Sequence, residues 1–364
     1  MLGNHNDKTY EGAKMVYSAT RLFTILILLF TSNIYGNVTS KNANNPQQNI
    51  SHIEDKIKKK QAILLKIQKS NTTQYMSVYD DLAELTIAKN KLLLELDRVD
   101  DIDTDRTCDL ALNYTEIEFI KTKYYKTPFH DEIAKTLQNI ASLYEQCHPP
   151  MTEKYLQSIL KIKEHIYLED SAEVASAHDA LGDYYRIYMA NFRRAIKEYD
   201  EAKRIREKIY GINNPRITEN YERLALSLYY HGDKMNRAEK LLLDSITIRK
   251  NSLSNKKFPL YNAYMDLGIY YSMKDEYDKS IIYLHKALKL FQGKIDINYI
   301  VIISELSQAY FNQDDLHNAL KFGEEAYNVS KKFYGNDTHH QVLENYNRLT
   351  EIREIMNKNK GKEK

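Results

Sequence analysis

The chain is 364 residues long and 43% hydrophobic, which supplies a sizeable core and excludes wholesale disorder. Basic and acidic residues nearly cancel, 52 against 50, so no overall charge marks a nucleic-acid or membrane-surface binder. Eleven Gly and six Pro among many strong helix formers point to an all-α chain.

At the N-terminus Arg21 precedes a ten-residue run, Leu22 to Thr31, followed by small and polar residues up to Gly36. That run is too short to span a bilayer, which takes about 20 apolar residues. Residues 1–36 have the form of a secretory signal cleaved after Gly36, which implies a secreted or periplasmic protein. Retained as an anchor, residues 22–31 would instead tether the chain to a membrane. Residues 37–49 are polar and predict a linker.

Residues 50–105 predict a helical hairpin or coiled-coil-like region. Ile50, Ile53, Ile57, Leu64 and Ile67 form one apolar stripe; Val78, Leu82, Leu85, Leu92 and Leu96 form the next, after the joint NTTQ at 71–74. The first arm carries six lysines and the second is acidic, which suits an antiparallel pair in one chain or a helical oligomer through residues 50–99. Asp101, Asp103 and Asp105 alternate as in a calcium loop, but Arg106 and Leu112 stand where that loop needs glycine and glutamate. An acidic cap on the following helix accounts for them better.

Two helical stretches, Cys108 to Tyr125 and His130 to Cys147, flank a short turn. Folded antiparallel, they bring Cys108 and Cys147 to one end. An exported chain would hold them as a disulfide, a cytosolic one as two ordinary thiols.

From residue 129 onward a pattern repeats. Thr152, Ala195, Ala238, Ser280 and Ala319 each begin a small–large–small stripe, at steps of 43, 43, 42 and 39 residues. Ala195, Tyr199, Ala202 and Ile205 show the order best, on one face of a helix. Each such helix follows another with its own signature of a large apolar residue, a small one and a third position beyond. These are Ile140/Ala141/Tyr144, Leu181/Gly182/Tyr185, Leu224/Ala225/Leu228, Leu267/Gly268/Tyr271 and Leu306/Ser307/Tyr310. Small residues let paired helices approach, and neighbouring pairs must stack to bury their faces. The repeat domain is expected over 106–356, clearest at 129–339, with a polar capping helix over 340–356 and a basic tail at 357–364.

These residues resemble tetratricopeptide repeats, and Tyr264, Leu267, Gly268, Tyr271, Ser280, Leu284 and Ala287 fit that pattern without a gap. The longer period, and the phrase IREKIYGINNPRITENYERLA with its echo KKFYGNDTHHQVLENYNRL, look like the kinesin-light-chain variety. The resemblance implies a right-handed superhelix of antiparallel pairs whose first helices line a concave, peptide-binding face. On this chain that face would carry Gln138, Asn139 and Ser142; Asp179, Asp183 and Arg186; Glu222, Arg223 and Tyr230; Met265, Asp266 and Ile269; Glu305, Gln308 and Asn312. Its acidic lean points to a basic or extended polypeptide partner.

No phosphate loop, nucleophile elbow or H-E-x-x-H occurs, and no catalytic, cofactor or metal residues are assigned. His178 and the pair His339-His340 read as surface histidines. The expected function is a non-enzymatic scaffold binding a protein or peptide, with no cofactor and no nucleic acid. Its alternatives are a membrane-tethered adaptor and a helical-repeat enzyme, the latter requiring a deep pocket with converging His, Asp or Glu.

Overall fold

A computed structural model describes residues 46–64, 72–95, 102–232, 235–252, 259–291, 296–335, 337 and 339–362. The expected signal or anchor segment and nearly all of the polar linker lie outside these residues. Among them the regular structure is entirely helical, in two compact units, and no helix is long and apolar enough to cross a membrane.

The first unit opens with α1 (Pro46–Leu64) and α2 (Thr72–Glu95), which run antiparallel and share the Lys60–Asp81 ion pair. The second arm begins six residues ahead of the expected Val78, because Tyr75 and Met76 already bury against the unit. Next come α3 (Thr104–Tyr125) and α4 (Asp131–Cys147). Asp103 caps α3 by accepting from the Arg106 amide at 2.9 Å, the role expected of the acidic loop. The ammonium of Lys121, 2% exposed, lies 3.0 Å from both oxygens of Asp80 on α2 and donates to Thr136 on α4 at 2.8 Å. That pair, buried at Lys121 and half-buried at Asp80, ties α2 to α3 and α4, so residues 46–95 share a unit with the helices that follow.

Repeats follow as α5 (Thr152–Ile166), paired with α4, then α6 (Ala172–Ile187) with α7 (Phe192–Tyr210). Next, α8 (Thr218–His231) pairs with α9 (Met235–Asn251), and α10 (Leu260–Met273) with α11 (Tyr277–Leu290). Contacts run from Val174 and Ala175 at the start of α6 to Ala202 and Ile205 late in α7, so the partners are antiparallel. The small residues sit where the sequence pattern puts them. A Cβ on Gly182 would lie 2.6 Å from the Tyr199 ring, and one on Gly268 2.7 Å from Leu284. The first helices α6 and α8, and α8 and α10, also touch one another. Tyr229 and Tyr270 pack edge to face with their centroids 5.9 Å apart, filling the step between α8 and α10.

The second unit holds α12 (Ile297–Asn312), α13 (Leu316–Tyr334) and α14 (His340–Lys362). Gly323 of α13 approaches Ser307 of α12, and Gly335 ends α13 at φ 64°, a left-handed cap. The final helix runs on through Lys362, past the expected end at residue 356. His339 is buried. Its ring stacks on Tyr334 and its Nδ1 accepts from the Gln341 amide at 3.1 Å, so it is a helix cap and not the surface histidine expected.

Candidate functional site

First helices carry the candidate residues, and packing divides them sharply. Gln138, Ser142, Asp183, Arg223 and Tyr230 keep partial exposure in the first unit. Asn139, Asp179, Arg186, Glu222, Met265, Asp266 and Ile269 are buried. Met265 and Ile269 pack as apolar side chains, and Asn139 donates to Tyr114 Oη at 3.4 Å. In the second unit Glu305 and Gln308 are partly buried, while Asn312 is exposed and accepts from Gln308 at 2.9 Å.

The expected acidic lean is largely neutralised from within. Asp179 pairs with Arg206, which reaches over from α7, and lies 3.7 Å from Arg223. Asp183 accepts from the Tyr199 hydroxyl at 2.6 Å and from Arg186 at 3.3 Å, with Arg223 at 3.4 Å. Burial alone would raise the Asp183 pKa, yet the guanidiniums of Arg223 and Arg186, with that hydroxyl, hold it below the usual carboxylate range. Two carboxylates thus face three guanidiniums.

Asn220 fastens the cluster. Its amide donates to Asp179 at 2.8 Å and to the Tyr199 carbonyl at 3.1 Å, bridging α8 to the preceding pair. In the second unit Asn345 does the same, donating to the Ala326 carbonyl at 3.3 Å and to Ser330 at 3.2 Å. The signal was present in the sequence as N-Y-x-R-L at 220–224 and again at 345–349.

One repeat further on, Glu222 accepts from Ser245 at 2.6 Å and from Arg249 at 2.8 Å. Arg249, fully buried, also donates to Thr218 and to the Pro259 carbonyl. Burial outweighs these partners and leaves the Glu222 pKa raised. Asp266 differs. Its residue is 6% exposed, and its Oδ1 has no hydrogen-bond partner. Burial first, then the nearby Glu222 charge, pushes it well above the usual carboxylate range, with Arg249 opposing.

Cys108 and Cys147 form a disulfide, Cα atoms 5.7 Å apart, at the end of the α3–α4 pair. Beside it Asn90 donates to Thr107 and to Gln146, both at 3.0 Å. A cleft of 310 Å³ lies between α1, α2 and α3, lined by Ile57, Leu82 and Leu110 with Glu54, Lys58 and Arg106 at its polar margin. Among the described residues no cluster of His, Cys, Asp and Glu could hold a metal ion.

No family model matches the chain, and no curated protein does. Among solved structures, the nearly identical tetratricopeptide-like repeats of a putative kinesin light chain from Podosopora anserina are 15% identical over 56% of this chain and 97% of that one, with a TM-score of 0.47. The apo quorum sensor NprR from B. thuringiensis is 15% identical over 85% of this chain and 82% of its own, TM-score 0.48. A tetratricopeptide repeat protein from Parabacteroides merdae is 12% identical, covering 84% and 99%, TM-score 0.47. The repeat architecture rests on the helix pairing itself.

Proposed function

Taking the chain as a tetratricopeptide-like helical repeat scaffold, we propose that it is non-enzymatic and holds a protein or peptide along the layer of first helices α4, α6, α8 and α10. One observation carries the reading. The first helices α4, α6 and α8 contribute part-exposed polar side chains (Gln138 and Ser142, then Asp183, then Arg223 and Tyr230) beside the buried, internally bonded charges of Asp179, Arg186 and Glu222. A surface whose side chains are already held in place loses little freedom on binding, which favours capture of an extended chain. We further propose that the protein works outside the cytosol. The signal-like segment supports this, as does the pairing of Cys108 with Cys147 across α3 and α4.

Site-specific photocrosslinking in producing cells tests the binding face. A photoreactive residue at Ser142 or Tyr230 is expected to trap a discrete partner, whereas one at Leu243 or Ile282, exposed on the second helices α9 and α11, is not. Adducts from the second helices alone would overturn the assignment of the face.

A further inference from the structure

The open cleft between α1, α2 and α3 lies apart from the layer of first helices. Each of its three helices contributes one apolar and one basic side chain: Ile57 and Lys58, Leu82 and Lys89, Leu110 and Arg106. Hydrogen bonds between α2 and α3 set the levels. Asn90 donates to Thr107 at 3.0 Å near one end and Tyr114 donates to Asp80 nearer the other, so the two helices run antiparallel. Lys89 and Arg106 are therefore level, while Leu82 and Leu110 lie further along in one direction, by two turns and one turn. The cleft has a basic end and an apolar end. Charges at the basic end are only partly matched. Asp103 accepts from the Arg106 amide and pairs with Arg106 Nε at 3.2 Å, and among the described residues the two terminal nitrogens of that guanidinium make no bond. Lys89 is half-buried and, among the described residues, makes no hydrogen bond or ion pair. Glu54, the remaining carboxylate of the lining, is exposed and pairs with neither Lys58 nor Lys89. A half-buried ammonium without a partner, at the mouth of an apolar slot, is matched by an anion with an apolar body.

We infer that this cleft is a binding site for an amphiphilic carboxylate of the class of a medium-chain fatty acid. The carboxylate accepts from Lys89 Nζ and the terminal nitrogens of Arg106, and the tail lies over Ile57, Leu82 and Leu110. Size sets the class. At 310 Å³ the cleft is at the small end of the range for ligand sites, and its walls run two helical turns, about 10 Å. That holds a short apolar tail and not a helix of another protein. The basic end is formed in advance. Asn90 bonds both Thr107 and Gln146 at 3.0 Å, and the Cys108–Cys147 disulfide pins α3 one residue beyond Thr107. A site held in this way loses little freedom on binding. It does not depend on the scaffold reading above.

The test is calorimetry of the full chain with decanoate, octanoate and decyltrimethylammonium, each below its micelle concentration, for wild type, Lys89→Gln and Leu110→Glu. Lys89 makes no bond in the fold and Leu110 is half-buried, so both variants fold, which a thermal melt verifies. Wild type is expected to bind decanoate, to bind octanoate about tenfold more weakly for its two missing methylenes, and to leave the quaternary amine unbound. Lys89→Gln should lose about tenfold toward decanoate, and Leu110→Glu, which sets a negative charge among the apolar residues, at least as much. Absence of decanoate binding by wild type would overturn the site. So would decanoate affinity unchanged in both variants, which would place the amphiphile elsewhere on the chain, or decyltrimethylammonium binding as tightly as decanoate. None of these results bears on crosslinking from Ser142 or Tyr230.

Discussion

Replacing Gly268 by alanine tests the small-over-large packing that holds α10 to α11. An alanine Cβ there would lie 2.7 Å from Leu284 Cγ, 2.9 Å from its Cδ2 and 3.2 Å from its backbone nitrogen. Carbon atoms rest at about 3.5–4.0 Å, so the two helices must separate by close to an ångström. Overpacking of this kind costs about 1–3 kcal/mol, and the upper end applies because a backbone nitrogen cannot rotate away. Helix propensity returns about 1 kcal/mol for a glycine-to-alanine change, leaving a net loss of about 2 kcal/mol. Gly182→Ala should lose a similar amount, because the Tyr199 ring it meets is pinned by hydrogen bonds with Arg186 and Asp183. Gly323→Ala is the contrast. Its nearest neighbour is the Ser307 hydroxyl at 3.0 Å and the next atom is 3.6 Å away, so a small shift accommodates the methyl, and α13 keeps or gains stability. Urea unfolding followed by circular dichroism reads all three. A Gly268→Ala protein as stable as wild type would refute the close-approach account of the repeat.

Asn220→Ala removes the bridge from α8 to Asp179 and the Tyr199 carbonyl and should cost about 1–3 kcal/mol, measured by the same unfolding. Asp266→Asn should stabilise the chain in a pH-dependent manner. The folded pKa lies above the unfolded one, so ionisation opposes folding: the penalty is absent below the unfolded carboxylate pKa of about 4 and grows as pH climbs toward the folded value. The gap in melting temperature between Asp266→Asn and wild type should accordingly be near zero at acid pH and widen toward neutrality; a gap that narrows would contradict it. Reducing Cys108–Cys147, or replacing both by serine, frees a constraint spanning 39 residues, and chain entropy puts the loss at about 4 kcal/mol, visible as a lower melting temperature under reductant.

Much of the fold was legible because it depends on spacing along one helix. Ala195, Tyr199 and Ala202 mark a buried stripe in sequence, and all three are fully buried in the structure. Asp103 was recognisable as a cap because capping is local. The site was less legible, because its electrostatics come from across the pair. Asp179, Asp183 and Glu222 look like an acidic groove when first helices are read alone, and only folding brings in Arg206 and Arg249 from the helices behind. The N-Y-x-R-L phrase was visible as a repeat, but its meaning lay in carbonyls one pair upstream, Tyr199 and Ala326. His339 misled because a histidine at a helix start is equally suited to water or to capping, and the Tyr334 ring decides for the latter.

The most direct test of the scaffold account is amide hydrogen exchange of the full chain with and without the partner trapped at Ser142 or Tyr230. The account predicts slowed exchange in α4, α6, α8 and α10, with α5, α7, α9 and α11 little changed. Protection confined to the second helices, or identical exchange throughout, would contradict it.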